Sequence, residues 1–97
     1  MPSIYTMMRC DMITEFSKAV CVPERDILGR KRGRVSDIRE VYWLLLRENG
    51  LYYHEIGRLC DRTHATILSG VRRVRNLIES GDSEITRIYE LTKHIKR

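Results

Sequence analysis

Few residues have the types and spacing that metal binding or catalysis needs. His54, Cys60 and His64 occur close together, but a structural zinc site takes four ligands, and these three are loosely spaced. Asp61 lies just before His64, yet no serine or cysteine is placed to act as a nucleophile with this pair. We therefore expect no enzymatic activity, no metal site and no cofactor.

The cysteines and the apolar residues indicate a protein of the cytoplasm. Cys10, Cys21 and Cys60 form no CxxC pair, and an odd number of cysteines without a signal peptide is typical of reduced thiols. We expect each of them to be a small, buried side chain. The longest apolar run, residues 41–46, is far shorter than the roughly 20 residues of a membrane span. No membrane partner is therefore expected.

Positive charge is the strongest chemical signal in the sequence. Lys and Arg number 18 against 13 Asp and Glu, which gives a net charge of +5 and a pI near 9.4. Most of these bases are arginines, which bind phosphate and guanine through paired hydrogen bonds. Residues 30–34 include four bases, and residues 62–75 contain four arginines and no acid. This balance favours a nucleic acid or an anionic membrane surface over a merely solvated basic surface.

The elements that would position these charges are all predicted to be helices. The 97 residues suffice for one domain, and the only prolines are Pro2 and Pro23. Apolar periodicity predicts an all-α bundle of about six helices. Residues 1–7 form a lead that carries little signal, and residues 8–97 form the domain. The predicted helices cover about residues 8–20, 23–29, 36–48, 52–59 and 63–80, with a last one after residue 83.

Local signals support several of these boundaries. Pro23 suits the first turn of the second helix, and Gly29 suits its end. Ser36 is a good N-cap for the third helix, whose broad apolar set predicts that it is the central buried helix, with Trp43 partly buried. The last helix is expected to present one apolar face made of Ile85, Ile88, Tyr89, Leu91 and Ile95.

Residues 52–80 have the pattern of a helix-turn-helix. A short helix, a turn at residues 60–62 and a longer helix capped by Thr63 follow one another with little between them. At about 100° per residue, the longer helix gathers an apolar stripe of Ile67, Val71, Val74 and Ile78. Its opposite face carries Ala65, Ser69, Arg72, Arg73 and Asn76.

This outer face suits the major groove of DNA. Its side chains are small near the N-terminus of the helix, so this end fits a groove about 12 Å wide. Farther along the side chains are cationic, and Arg72 and Arg73 would meet phosphates there. Thr63, His64 and Thr66 lie at the tip and offer hydroxyl and imidazole groups to base edges. We therefore predict a recognition helix at residues 63–80.

Three segments also carry a family resemblance. They are residues 26–34 (DILGRKRGR), residues 38–48 (IREVYWLLLRE), and residues 55–58 (EIGR) followed by 62–68 (RTHATIL). In the same order they resemble the short helix and basic loop, the ARQxAMxLARE helix and the EIG…RDHTTVL signature of the C-terminal DNA-binding domain (domain IV) of DnaA, the bacterial chromosomal replication initiator. The resemblance extends over about residues 8–95. The helix-turn-helix of the Trp repressor is a second, weaker analogy.

The resemblance implies where DNA would lie. An arginine of the basic loop, here Arg32, enters the minor groove, and the first residues of the signature read bases in the major groove. With Ser69 from the same helix face, the predicted base contacts are Arg32, Thr63, His64, Ala65, Thr66 and Ser69. The predicted backbone contacts are Arg30, Lys31, Arg34, Arg39, Arg47, Arg62, Arg72 and Arg73.

The signature departs from the family at positions that choose bases. Thr63 stands where the family has an acid, Ala65 replaces its first threonine, and His54 replaces a proline. The turn is also one residue shorter. An acid accepts a hydrogen bond from cytosine, whereas threonine is permissive and alanine contacts a thymine methyl. We expect duplex binding without a requirement for the family's usual box sequence.

The predicted function is sequence-specific binding of double-stranded DNA in the cytoplasm of a bacterium, at the nucleoid. No phosphate-binding GxxxxGK[ST] motif occurs, so the ATPase module of a full initiator is not in these residues, and we expect a free-standing domain. It would act in replication initiation at an origin, in the regulation of initiation, or in transcription regulation. Its partners would be duplex DNA and the initiator or other replication proteins, and we expect a monomer.

Two other functions stay open. One is a helical protein-interaction bundle without specific DNA binding, with a partner surface made of Tyr5, Met7, Met8, Met12 and Tyr52. The other is binding of structured RNA, although the sheet with exposed aromatic residues that reads single-stranded RNA is not predicted here.

Overall fold

Six helices make up the computed structural model, which describes the backbone of residues 4–96 and the side chains of residues 12–96. They are α1 (Ile4–Val20), α2 (Glu24–Leu28), α3 (Arg34–Glu48), α4 (Tyr53–Cys60), α5 (His64–Glu79) and α6 (Ser83–Thr92). No strand occurs in residues 4–96. The predicted all-α bundle of about six helices is confirmed.

Helix α3 is the centre of the bundle. Every residue from 41 to 46 is buried, as are Ile38 and Arg39 before them. Because apolar side chains surround this helix on all sides, it packs against α2, α4, α5 and α6 as well as α1. The prediction that it is the central buried helix is confirmed. Trp43 is 4% exposed, so it belongs to the core more fully than predicted.

Several helix boundaries differ from the prediction for local reasons. Helix α1 begins at Ile4, before the predicted residue 8, so part of the predicted lead is helical; residues 1–3 lie outside the described part of the chain. Helix α3 begins at Arg34, because Gly33 at φ 78° turns the chain and is the N-cap in place of Ser36. Helix α4 is shifted by one residue and includes Cys60.

The last helix buries a narrower face than predicted. Ile85 and Ile88 are buried, as is Ile95 beyond the end of the helix, but Leu91 is 48% exposed. The buried position is instead Thr92, whose hydroxyl donates to the Ile88 carbonyl at 2.8 Å. Leu91 lies about 100° around the helix from Thr92, which carries it past the edge of the buried face. The prediction for Leu91 was therefore wrong.

The cysteines do not share one environment. Cys60 is buried in the core, as expected for a small apolar side chain, whereas Cys21 is exposed at the end of α1 with φ 57°. The prediction of burial was wrong for Cys21, and the side chain of Cys10 lies outside the described residues. Within residues 4–96, no helix combines the length and the apolar character that crossing a bilayer requires.

Two glycines let α5 and the turn before it pack closely against their neighbours. A Cβ at Gly70 of α5 would lie 2.7 Å from the indole of Trp43, and a Cβ at Gly57 of α4 would lie 2.5 Å from the backbone oxygen of Arg62. The second contact is with backbone, which has less freedom to move than a side chain. The turn between α4 and α5 therefore depends on the absence of a side chain at Gly57.

We expect Gly57→Ala to lower the free energy of unfolding by roughly 1–3 kcal/mol, because the added methyl must displace the turn backbone. Urea denaturation followed by circular dichroism measures this change. Ser69→Ala, on the exposed face of α5, is the control and should change stability by less than about 0.5 kcal/mol. Equal stability of the two variants would show that the turn yields to the methyl group.

Candidate nucleic-acid interface

The turn between α4 and α5 is built from three residues, each with a defined backbone role. Asp61 adopts the left-handed conformation at φ 53°, which Asp tolerates better than most side chains. The Arg62 amide donates to the Gly57 carbonyl at 2.8 Å and so closes the end of α4. Thr63 then caps α5, as predicted, by accepting a hydrogen bond from the Thr66 amide at 3.2 Å. The sequence thus sets both the end of one helix and the start of the next.

Helix α5 divides into a buried and an exposed face as its periodicity predicts. Ile67, Val71 and Val74 are fully buried, and Ile78 is partly buried. The five predicted base-contacting residues in this region are all exposed: Thr63, His64, Ala65, Thr66 and Ser69. The structure therefore brings these five together at the free N-terminal end of one helix.

The imidazole of His64 has a neighbour that sequence reasoning did not anticipate. Its ring stacks on Tyr53 of α4 with centroids 6.0 Å apart and planes at 22°. The guanidinium of Arg47 lies 5.3 Å from the centroid of the Tyr53 ring. Arg47, a predicted contact of the DNA backbone, is half-buried and also donates to the Leu51 carbonyl at 3.4 Å. It therefore supports Tyr53 beside α5.

The basic loop, residues 30–34, ends on the first residue of α3 and contains both paired and unpaired cations. Arg30 pairs with Asp61 at 3.5 Å, Lys31 with Asp26 at 3.3 Å, and Arg34 with Glu84 at 2.8 Å. All three bases are exposed, so solvent screens these pairs and each is weak. Arg32 is exposed and forms no ion pair or hydrogen bond within residues 12–96. Arg32, the predicted minor-groove residue, is therefore the loop cation with no internal competitor in that range.

Arg39 does not face the solvent, and the prediction that it contacts the DNA backbone is corrected here. It is 6% exposed and donates to the carbonyl oxygens of Ile27 and Asp26, both at 2.9 Å. Burial lowers its pKa, and the nearby Arg62 lowers it further. Because both hydrogen bonds hold the end of α2, the Arg39 guanidinium has a structural role. Its position three residues before Tyr42 and seven before Leu46 is the sequence signal for burial.

Arg62 is likewise held by the protein. Its guanidinium donates to the carbonyl oxygens of Cys60 at 2.8 Å and of Gly29, and it lies 5.8 Å from the centroid of the Trp43 ring. The side chain is half-buried. It therefore contacts the basic loop, the turn and the core at once.

The neighbouring arginines of α5 have different environments. Arg73 bonds to Asp37 at 2.8 Å and to Glu40 at 2.5 Å, which raises the pKa of Arg73, whereas burial raises the pKa of Glu40 despite the Arg73 hydrogen bond. Arg72 is exposed and forms no ion pair within residues 12–96. Of the two, Arg72 is the cation available to a phosphate, and Arg73 ties α5 to α3.

Two residues that the sequence analysis did not select border the same surface. His54 and Arg58 are exposed on α4 and line a shallow groove with His64 and Thr66 beside the turn. Their spacing of four residues, on the face opposite the buried Ile56, is the signal that places them together. Cys60 is buried away from them, and among residues 12–96 no three His, Cys, Asp or Glu side chains are grouped as metal ligands would be.

The chain matches none of the protein families and none of the curated proteins with which it was compared. We therefore base the proposed function on the residues themselves and on the geometry described above.

Arg72 and Arg73 provide a matched pair of substitutions. Arg73→Ala should lower the free energy of unfolding by about 1–2 kcal/mol, because it leaves the half-buried Glu40 without its cation. Arg72→Ala should change stability by less than about 0.5 kcal/mol. Urea denaturation of both variants measures the difference.

The pH dependence of the Arg73→Ala effect has a definite sign. In this variant the folded-state pKa of Glu40 rises further above its unfolded value, so the ionised carboxylate destabilises the folded state. The penalty should be full above the folded-state pKa of the variant, and it should shrink as the pH falls through that pKa toward the ordinary Glu value of about 4.3. A penalty that stays constant between pH 7 and pH 4 would contradict a role through the carboxylates.

Proposed function

We propose that this protein binds double-stranded DNA sequence-specifically, with the N-terminal half of α5 in the major groove and the basic loop, residues 30–34, in the adjacent minor groove or on the DNA backbone. The observation that supports this most is the pairing of an exposed, small-residue helix tip with two exposed arginines, Arg32 and Arg72, that have no partner within residues 12–96. Such an arrangement has no use in the packing of the bundle.

The tip of α5 has the shape and the chemistry of a major-groove reader. Ala65 and Ser69 are small, so base edges can approach the helix, while the Thr63 and Thr66 hydroxyls lie 2.9 Å apart and offer both donors and acceptors. His64 adds an imidazole held by Tyr53. Arg72 follows on the same face, two turns farther along, where a groove wall would present its phosphates.

The basic loop has the properties of a minor-groove arm. An arginine inserted into a narrow minor groove is attracted by its concentrated negative potential, and it needs neither a helix nor a strand to carry it. Arg32 is placed on such an irregular segment, between α2 and α3. Arg30, Lys31 and Arg34 would exchange their weak internal partners for phosphates beside it.

We further propose that the domain is of the DnaA box-reading type and acts at the nucleoid in replication initiation, in its regulation, or in transcription regulation, as a monomer. The order of basic loop, buried helix and helix-turn-helix supports this proposal. Thr63 and Ala65 favour a target different from the family's usual box, since neither side chain reads cytosine as an acid does. The protein-interaction alternative is weakened because Met12 is buried, although Tyr52 is exposed; the side chains of Tyr5, Met7 and Met8 lie outside the described residues.

Selection of bound sequences from a random duplex pool at one fixed salt concentration tests the proposed function. The wild-type protein should enrich one motif, and Arg32→Ala and His64→Ala should each weaken its binding by about tenfold or more, because each removes a base contact. Arg72→Ala should weaken binding to all sequences alike and should flatten the salt dependence by about one unit of slope.

Arg87→Ala is the matched control, because Arg87 is an exposed arginine on α6 and is not among the predicted DNA contacts. It removes the same charge and should leave the motif and its affinity nearly unchanged. If no motif is enriched, and all binding disappears by about 0.2 M salt, the basic surface is only a non-specific one and the proposed function is wrong.

The Thr63 position makes a separate prediction about sequence preference. Thr63→Asp should retain the N-cap, since Asp caps helices as well as Thr does, and should therefore keep the protein's stability. It should also shift the selected motif toward cytosine at the base pair that the helix tip contacts, because the carboxylate accepts a hydrogen bond from the cytosine amino group. Thr63→Ala, which loses the cap and gains no acid, is the control. An unchanged motif with Thr63→Asp would remove this residue from the set of base readers.

A further inference from the structure

The stem of the basic loop, Gly29 and Arg30, is bound at two points to the turn between α4 and α5. The Arg62 side chain reaches across from the turn and donates to the carbonyl of Gly29, the residue that ends α2. In return, the Arg30 side chain donates to the Asp61 carbonyl at 3.3 Å and pairs with its carboxylate at 3.5 Å. Gly29 and Arg30 are thus bound to Arg62 and Asp61, two of the three turn residues that precede α5.

Arg62 has a rigid base from which to make this bond. Its guanidinium lies over the buried Trp43 ring, and two further hydrogen bonds, to Cys60 and Asp61 carbonyls, hold it to its own turn. A planar guanidinium held on several sides has little freedom left. Below the loop, Arg39 fixes the carbonyls of Asp26 and Ile27. The loop therefore departs from a backbone that two arginines hold in place.

We infer that Arg62 is a positioning residue that fixes the distance and angle between the basic loop and the recognition helix, so that the two read DNA as one rigid unit. This inference rests on the proposed function. It assigns Arg62 a different role from the phosphate contact that the sequence suggested, because the hydrogen-bonding edges of its guanidinium face carbonyl oxygens of the protein.

A rigid connection has a consequence for the DNA site. Each base pair inserted between the two contacted segments moves them apart by about 3.4 Å and rotates one relative to the other by about 35°. A loop with a free stem would follow such a change, whereas a loop locked to the turn would lose its groove. The protein should therefore require one fixed spacing between the minor-groove and the major-groove parts of its site.

The first arm of the test changes only the DNA. For the selected motif, one base pair is inserted between the segments that Arg32→Ala and His64→Ala identify, and binding is measured with the wild-type protein at fixed salt. We expect a loss of about tenfold or more, similar to that caused by Arg32→Ala on the unaltered site. The Arg32→Ala protein should lose little more on the altered site, because it has no minor-groove side chain left to misplace. Wild-type binding that is unaffected by the insertion would overturn the inference.

The second arm is a double-mutant cycle on the protein. Arg62→Gln should weaken binding, and the further loss from Arg32→Ala should be much smaller in the Arg62→Gln background than in the wild type, because the loop is already displaced. The loss from Arg72→Ala should be the same in both backgrounds. If Arg62 is instead a phosphate contact, the Arg32 and Arg62 losses will multiply independently, and Arg62→Gln will flatten the salt slope by about one unit.

Two features keep these outcomes separate from general damage. Arg62→Lys retains the charge but lacks the fork that spans Cys60 and Gly29, so it should behave like Arg62→Gln in the cycle and not like the wild type. If the Arg62 variants do not fold, the insertion experiment with the wild-type protein still decides the question. A wild-type protein that selects no motif would refute the proposed function, whereas a motif that tolerates the insertion would refute only the role of Arg62.

Discussion

The indole of Trp43 is the contact on which the candidate interface depends. One side of its six-membered ring faces Gly70, where the absence of a side chain lets α5 lie directly on α3. The Arg62 guanidinium lies over the same indole and reaches from there to the end of α2. One buried residue of the central helix thus supports α5, the turn before it and the stem of the basic loop. A shift of this ring would move all three together.

Two sets of arginines in this protein have different environments that composition does not distinguish. Arg39, Arg62 and Arg73 donate to backbone carbonyls or carboxylates of neighbouring helices, and they hold the bundle together. Arg32, Arg58 and Arg72 are exposed and form no ion pair within residues 12–96. The second group lies on the loop, on α4 and on α5. Burial and internal ion pairs, and not residue type, therefore decide which arginines are available to a partner.

Local rules predicted the features of the fold that depend on near neighbours. The apolar stripe of α5, its Thr63 cap and the burial of α3 follow from spacing and capping within a few residues. The hydrogen-bond partners of Arg39 and Arg73 lie in distant parts of the chain. The sequence pattern therefore indicated that these positions are charged, but not what they bind. Ser36 shows a third kind of error: a good cap was present, but Gly33 could adopt a positive φ and ended the loop earlier. The candidate site was predictable in its exposed residues and not in its supporting ones.

The internal pairing of the basic loop has a consequence for how such a protein would move along DNA. Arg30, Lys31 and Arg34 each have an acidic partner already in place, so contact with a random phosphate replaces one weak pair by another and gains little. Only a site that also accommodates Arg32 and the tip of α5 would add contacts beyond those that replace the internal ion pairs. In the proposed function, the intramolecular acids would thus shorten the residence time on random sequences, and each molecule would sample more of the genome between specific encounters.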